Sequence, residues 1–376
     1  MMLTMAMAMA SASTLVACGT EQGDRGESEL VEADGGFVDD DGREWILLGD
    51  ANITNLPVLE ENREVADAGK NLDDIIVEVT LEEAAAMLRP HMEMDGLEYT
   101  VTDAEALEFA ATVRDIVSSG DSESNGSGSP SEDVFPFDDP DAEVEERALI
   151  SGYGTWYKVN SWADNAPYNR IATMDSGAGK CTAFKIGNHY TAATAGHCVA
   201  SKNGSWKSRQ RIQFAAGSGN TSSSGSGDEK EYLPSSCYAR STPGCFTGVG
   251  VCDYAVLRLR GGGAWCNYND YNVGYLGHKS VSSSASSVYT RMASYPGTPP
   301  SGGYPSLYYQ TRSDSWANGS QLRYRMDTLG GSSGAPTFNS SNQVRSIHSD
   351  QATSTYNYGM RMTTTMYNWI IHYGGY

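Results

Sequence analysis

Basic residues are nearly missing from the first part of the chain. Residues 1–147 hold 7 Lys and Arg against 37 Asp and Glu, a balance of −30, while residues 148–376 hold 19 against 10, a balance of +9. The overall charge of −21 therefore averages two halves of opposite sign that attract each other, with a boundary near residue 147. Apolar runs are short. Beyond the N-terminus no segment approaches the ~18 apolar residues of a membrane-spanning helix. Cysteine is almost absent from the acidic half, where only Cys18 occurs, against Cys181, Cys198, Cys237, Cys245, Cys252 and Cys266 downstream. None sits in a C-x-x-C pair with a second such pair or a His-x-x-x-His partner, so no metal site is expected. The even set of six reads as disulfides made in an oxidising compartment. No nucleic-acid motif accompanies the scattered basic residues, among them Lys207, Arg209 and Arg211, and no cofactor is implied. Their excess complements the acidic half instead.

Residues 1–18 read as an export signal, apolar and small although without the Lys or Arg that ordinarily precedes such a core. Leu15-Val16-Ala17-Cys18 resembles a lipobox, in which Cys18 would be lipidated. The other reading is a plain secretory peptide with an incidental cysteine. Both place the protein outside the cell, with membrane contact only through a lipid on the precursor. Polar residues 19–36 form a tether. Residues 37–118 read as a small α+β propeptide domain. The run Asp74-Ile75-Ile76-Val77-Glu78-Val79 predicts a strand, and Thr80 with Glu83 and Thr102 with Glu105 predict two capped helices. On the second helix Ala106, Phe109, Ala110, Val113 and Val117 share a face. Residues 119–147 are an acidic Ser- and Gly-rich linker ending in Glu143-Val144-Glu145-Glu146-Arg147, an exposed place for processing.

From residue 148 onward short apolar alternations and frequent turn residues replace helical periodicity, the pattern of an all-β body. Met366, Trp369 and Ile370 recur at helical spacing and predict one short C-terminal helix. Acyl transfer needs a hydroxyl nucleophile, a base within reach, a carboxylate that orients the base, and backbone N–H donors for an oxyanion. Three stretches carry these groups: Thr194-Ala195-Gly196-His197-Cys198, the strand opened by Asp253, and Gly330-Gly331-Ser332-Ser333-Gly334-Ala335-Pro336. Each is common by itself. Together, in the order His197, Asp253, Ser333 with separations of 56 and 80 residues, they form a constellation.

These three motifs resemble those of the chymotrypsin-fold, trypsin-like serine proteases, and the likeness runs from about residue 165 to the end. The resemblance implies a double six-stranded β-barrel with a short C-terminal helix and a catalytic domain at 148–376. It implies Ser333 as nucleophile, His197 as general base and acid, Asp253 as orienting carboxylate, and the N–H groups of Gly331 and Ser333 as oxyanion hole. It also pairs Cys181 with Cys198. The other four downstream cysteines allow three pairings.

Thr328, Gly330, Gly331, Pro336, Phe338-Asn339 and Ile347-His348 are similar to bacterial glutamyl endopeptidases, which implies Thr328 and His348 as the pocket for a substrate glutamate. The alternative is that both are ordinary wall and core residues. Ser349-Asp350-Gln351 departs from that subfamily, and Ser332 stands where mammalian trypsins carry an Asp that pairs with a new N-terminal amine. The resulting expectation is a secreted endopeptidase acting on proteins or peptides, with its own acidic propeptide as a partner. Two alternatives stand beside it: a trypsin-like protease with another preference, and an inert homologue that binds without cutting. His91, His189, His278 and His372 carry no motif.

Overall fold

The computed structural model describes residues 36–39, 42–50, 71–94, 97–119, 144–145, 156–159, 166–175, 179–200, 206–207, 211–214, 230–232, 238–241, 253–258, 274–297, 306–351 and 355–374. Cys18, Cys237, Cys245, Cys252 and Cys266 lie outside them, as does nearly all of the tether and linker. Among the described residues the protein is mostly β, with no helix long and apolar enough to cross a membrane.

Two sheets make the body. In the second half of the chain six strands close on themselves: Val288–Ser294, Pro336–Phe338, Gln343–Gln351, Asn357–Arg361, Gln321–Tyr324 and Tyr308–Asn318, with the last pairing back to the first. Closure satisfies every sheet edge and encloses a core containing Met292, Leu322, Tyr324, Met326 and Ala335. The preceding barrel is built around Tyr238–Ser241, Ala255–Arg258, Thr191–Thr194, Lys180–Lys185, Ile171–Asp175 and Arg211–Phe214, hydrogen-bonded in that order. Its small interior, with Ala183, Ala192, Ala195, Ala255 and Leu257, packs round Cys181 and Cys198. The expected all-β body with a closed six-stranded barrel and a short C-terminal helix is present among the described residues.

Helix α5, Thr364–Gly374, buries Met366, Trp369, Ile370 and Tyr373, the apolar face that the spacing predicts. Three longer helices precede the barrels: α1 Leu72–Glu78, α2 Leu81–Leu88 and α3 Asp103–Ser118, while α4, Gly196–Val199, is a single turn inside the first barrel. Thr80 and Thr102 cap α2 and α3 as the Thr-x-x-Glu spacing requires. The strand expected at 74–79 is instead α1. Asn71 caps Asp73 and Asp74, and Asp74 returns a bond to the Asn71 N–H, so a complete capping box overrides the short β-branched run. Leu72, Ile75 and Ile76 then fall on one buried face.

The N-terminal strands do not form a sheet of their own. Phe37–Val38, Glu44–Asp50, Leu97–Val101 and His91–Met94 continue the first barrel's sheet, with His91 opposite Ser241 and Met92 opposite Arg240. The end of the linker is also in regular structure, because Val144 and Glu145 pair with Tyr157 and Trp156, which in turn join the second barrel through Tyr309.

Gly359 sits opposite His348 in the closed barrel, where an added Cβ would come 2.6 Å from the Ile347 carbonyl oxygen. Gly359→Ala should therefore lower unfolding stability by about 1–3 kcal/mol, read as a lower urea midpoint at unchanged slope.

Candidate active site

His197 occupies the single turn α4 directly after the strand Thr191–Thr194, and Asp253 precedes the neighbouring strand Ala255–Arg258, which pairs antiparallel with it. That pairing brings two residues 56 positions apart side by side. The His197 N–H donates to Asp253 Oδ1 at 2.8 Å, and His197 Nδ1 lies 2.8 Å from Oδ2. An ionised carboxylate only accepts, so Nδ1 carries the hydrogen in the neutral ring and Nε2 is left as the basic nitrogen. Ser349, on the strand after His348, donates its hydroxyl to Asp253 Oδ2. Burial pushes the Asp253 carboxyl up, but the His197 charge and the bonds from His197 and Ser349 outweigh it and hold the group below the ordinary carboxylate range. Asp253 is thus kept as an anion inside the protein.

Ser333 is half-buried on a loop stitched to the wall of the first barrel. Thr182 makes the stitches: its N–H donates to the Ser333 carbonyl at 2.8 Å and its hydroxyl to the Gly331 carbonyl at 2.9 Å. The same hydroxyl accepts from the Tyr295 N–H, and the Thr182 carbonyl accepts from the Thr194 hydroxyl, three residues before His197. A disulfide joins Cys181, beside Thr182, to Cys198, beside His197, and Cys198 Sγ lies 3.7 Å from the Ser333 carbonyl oxygen. Imidazole and hydroxyl are therefore anchored to one pair of adjacent strands. Gly334 permits the approach, since at its φ of +85° a Cβ would meet the Thr182 carbonyl oxygen and Thr194 Oγ1 at 2.2 Å.

The loop's peptide planes have a definite orientation. The Gly330 carbonyl accepts from Gly297 at 2.6 Å and the Ser332 carbonyl from Ala335 at 3.0 Å. In a trans peptide the N–H points opposite to its carbonyl, so the Gly331 and Ser333 N–H groups face away from those partners. Among the described residues neither has an acceptor. Gly331 holds this shape at φ +103°, packed against Gly297 N and Tyr295 O where no Cβ fits. Ser332 is buried, and its hydroxyl lies 3.2 Å from the Ser294 hydroxyl and accepts from the Leu329 N–H, so neutral bonds occupy the place of an ion pair with a chain terminus.

Thr328 and His348 share one set of neighbours. Asn357 donates to the Thr328 hydroxyl at 2.9 Å, and it lies opposite Tyr324 in the sheet. Tyr324 Oη is 2.7 Å from His348 Nδ1, which is also 3.1 Å from the Tyr358 carbonyl. His348 itself is 3% exposed. The Asp350 side chain is outside the described residues. Sulfur and imidazole atoms of Cys181, Cys198 and His197 cluster closely, but both sulfurs are spent in the disulfide and leave no metal-binding thiolate. Thr182, Ser349, Tyr324 and Asn357 carry no motif of their own. Only strand pairing brings them to the site, and the one available signal was the position of Thr182 beside Cys181.

A family model of the trypsin-like peptidase domain matches residues 181–347, from the disulfide cysteine to the strand after the serine loop. The glutamyl endopeptidase of Bacillus licheniformis is 28% identical over 214 residues, covering 54% of this chain and 62% of that protein, so the chain spans less than two thirds of this relative's length. A Glu endopeptidase solved in complex with MPD superposes with a TM-score of 0.48 at 23% identity, covering 60% of this chain and 99% of the other. The protease Anisep from Arthrobacter nicotinovorans does so at 0.41 and 19%, covering 54% and 95%. With its disulfide beside the histidine and its serine loop inside the matched segment, this chain is similar over residues 181–347 to the trypsin-like peptidase domain.

Proposed function

We propose that the protein is a secreted serine endopeptidase, made as a precursor, that cuts peptide bonds after glutamate through an acyl-enzyme. The observation that carries the reading is the two-point grip of buried Asp253 on His197, with the Ser333 loop fastened to the same strands.

In this reading Ser333 Oγ attacks the scissile carbonyl and passes its proton to His197 Nε2. The resulting imidazolium is stabilised by Asp253, and the proton goes on to the leaving amine. The tetrahedral oxyanion takes the Gly331 and Ser333 N–H groups, whose planes are already set, so stabilisation needs no rearrangement when charge develops. Water then repeats the sequence in reverse and releases the acid product. Cleavage of the linker is not needed to build this apparatus, since neutral bonds of Ser332 hold the loop.

Two features support glutamate. The Thr328 hydroxyl accepts from Asn357, which leaves its own hydrogen for a ligand oxygen. His348 Nδ1 is engaged by Tyr324 and Tyr358, and a protonated ring would offer a second N–H to a substrate carboxylate. Glu145 or Glu146 as the cut residue would make processing autocatalytic, whereas Arg147 would require another protease. The pairing of Glu145 with Trp156 means that this strand must peel away before it can enter a cleft.

Cleavage of a peptide library by the mature enzyme should show glutamate before the scissile bond, and His348→Ala should lower kcat/KM on such peptides about 100-fold, roughly the loss of one charged hydrogen bond. A preference for Lys or large apolar residues overturns the pocket assignment. The mature N-terminus, read by mass spectrometry, should fall between residues 146 and 149. Thr182→Val keeps the shape but removes the hydroxyl that holds Gly331, so kcat should fall about 10- to 100-fold with KM changed less than about threefold, the signature of a loosened oxyanion hole. Ser349→Ala should lower kcat about tenfold by loosening Asp253.

A further inference from the structure

The surface that residues 37–119 share with the protease is built from interactions that a temporary cover would not need. Asp73, in the first turn of α1, accepts from the N–H groups of Thr364 at 3.1 Å and Thr365 at 2.8 Å, the first two residues of α5. A helix N-terminus leaves such donors without partners inside its own ladder, and a carboxylate there also answers the helix dipole. Asp73 thus acts as a cap supplied from nearly 300 residues away.

Along α5 the contacts continue. The buried Trp369 indole N–H donates to the Leu88 carbonyl at 2.8 Å. Phe109 of α3 stacks on His372 at 4.5 Å and meets Tyr373 edge-on at 5.2 Å, and Glu105 lies 3.2 Å from His372 Nε2.

A second patch reaches the catalytic strand itself. Arg258, fully buried five residues after Asp253, has Nη1 3.5 Å from Asp39 Oδ2, and Asp39 also accepts from the Trp45 indole at 2.9 Å. Taking Asp39 away would remove a carboxylate 3.5 Å from a guanidinium held in the interior. The two halves also share a sheet edge, His91–Met94 against Tyr238–Ser241, and one continuous apolar core that runs from Trp45, Leu88 and Phe109 to Tyr254, Trp369 and Tyr373.

We propose that residues 37–119 remain bound as a non-covalent subunit of the protease after the linker is cut, capping α5 through Asp73 and countering buried Arg258 through Asp39. This rests on the precursor reading only for the natural cut. The interface holds whichever residue is cleaved and whatever the substrate preference. Its occupant is this chain's own acidic segment, whose 21 Asp and Glu against 5 Lys and Arg, a balance of −16, face a body of +9.

The test uses the full chain with Ser333→Ala, which prevents self-cleavage, and a recognition site for a specific unrelated protease inserted in the Ser/Gly stretch 124–129. After complete cutting, size-exclusion chromatography at neutral pH and physiological salt should give both fragments in one peak at the size of the uncut protein. Two separate peaks, whatever the state of the fragments, overturn the proposal. The same protein with Asp73→Ala and Phe109→Asp should keep its near-ultraviolet circular dichroism while uncut, and its fragments should separate after cutting. Co-elution as strong as in the parent would show that this surface does not hold them. Since the cut is introduced, failure of natural processing at 146–149 leaves the result unaffected and tests only the precursor reading.

Discussion

Thr182 joins the two barrels at the point where chemistry is placed. Its four polar connections reach the Ser333 and Gly331 carbonyls, the Tyr295 N–H and the Thr194 hydroxyl, so that one residue on the first barrel's wall sets the serine loop of the second against the strand leading to His197. Backbone groups in a buried loop must find partners. Here the Gly330 and Ser332 carbonyls find Gly297 and Ala335, and those bonds turn the Gly331 and Ser333 N–H groups away from them. The disulfide between Cys181 and Cys198 brackets the same contact covalently, and Gly334 supplies the lack of side chain without which the loop could not come so close.

The carboxylate side follows the same economy. Asp253 receives two bonds from His197 and one from Ser349, and Ser349 reaches it from the second barrel. Asp253 is therefore a junction between the two sheets as well. Five residues further along that strand, Arg258 meets Asp39, so the acidic N-terminal half touches the very element that presents Asp253. Organisation of the site and attachment of the N-terminal half are linked through a single strand.

Much of this was legible in the chain. Thr-x-x-Glu pairs located two helices, and the spacing of Met366, Trp369 and Ile370 located the last one, because capping and amphipathic periodicity are local. The motifs around His197, Asp253 and Ser333 carried the family resemblance. The strand expected at 74–79 failed for a local reason, since Asn71 with Asp74 is a capping box of the same kind as Thr80 with Glu83 but without a threonine to signal it. The sheet shared between residues 37–101 and the first barrel had no signature, because strand edges pair through backbone groups that every residue possesses.

By itself the sequence determined which groups are available: a histidine, an aspartate and a serine in a recognisable order, a pair of cysteines, and two halves of opposite charge. Only the tertiary structure decided which bystanders serve them. Thr182, Ser349, Tyr324 and Asn357 are ordinary polar residues on ordinary strands, and each acquires its place from register with a strand far away in the chain. The physical reason is that a hydrogen bond depends on distances of a few ångströms in space, whereas a motif records only nearness along the chain.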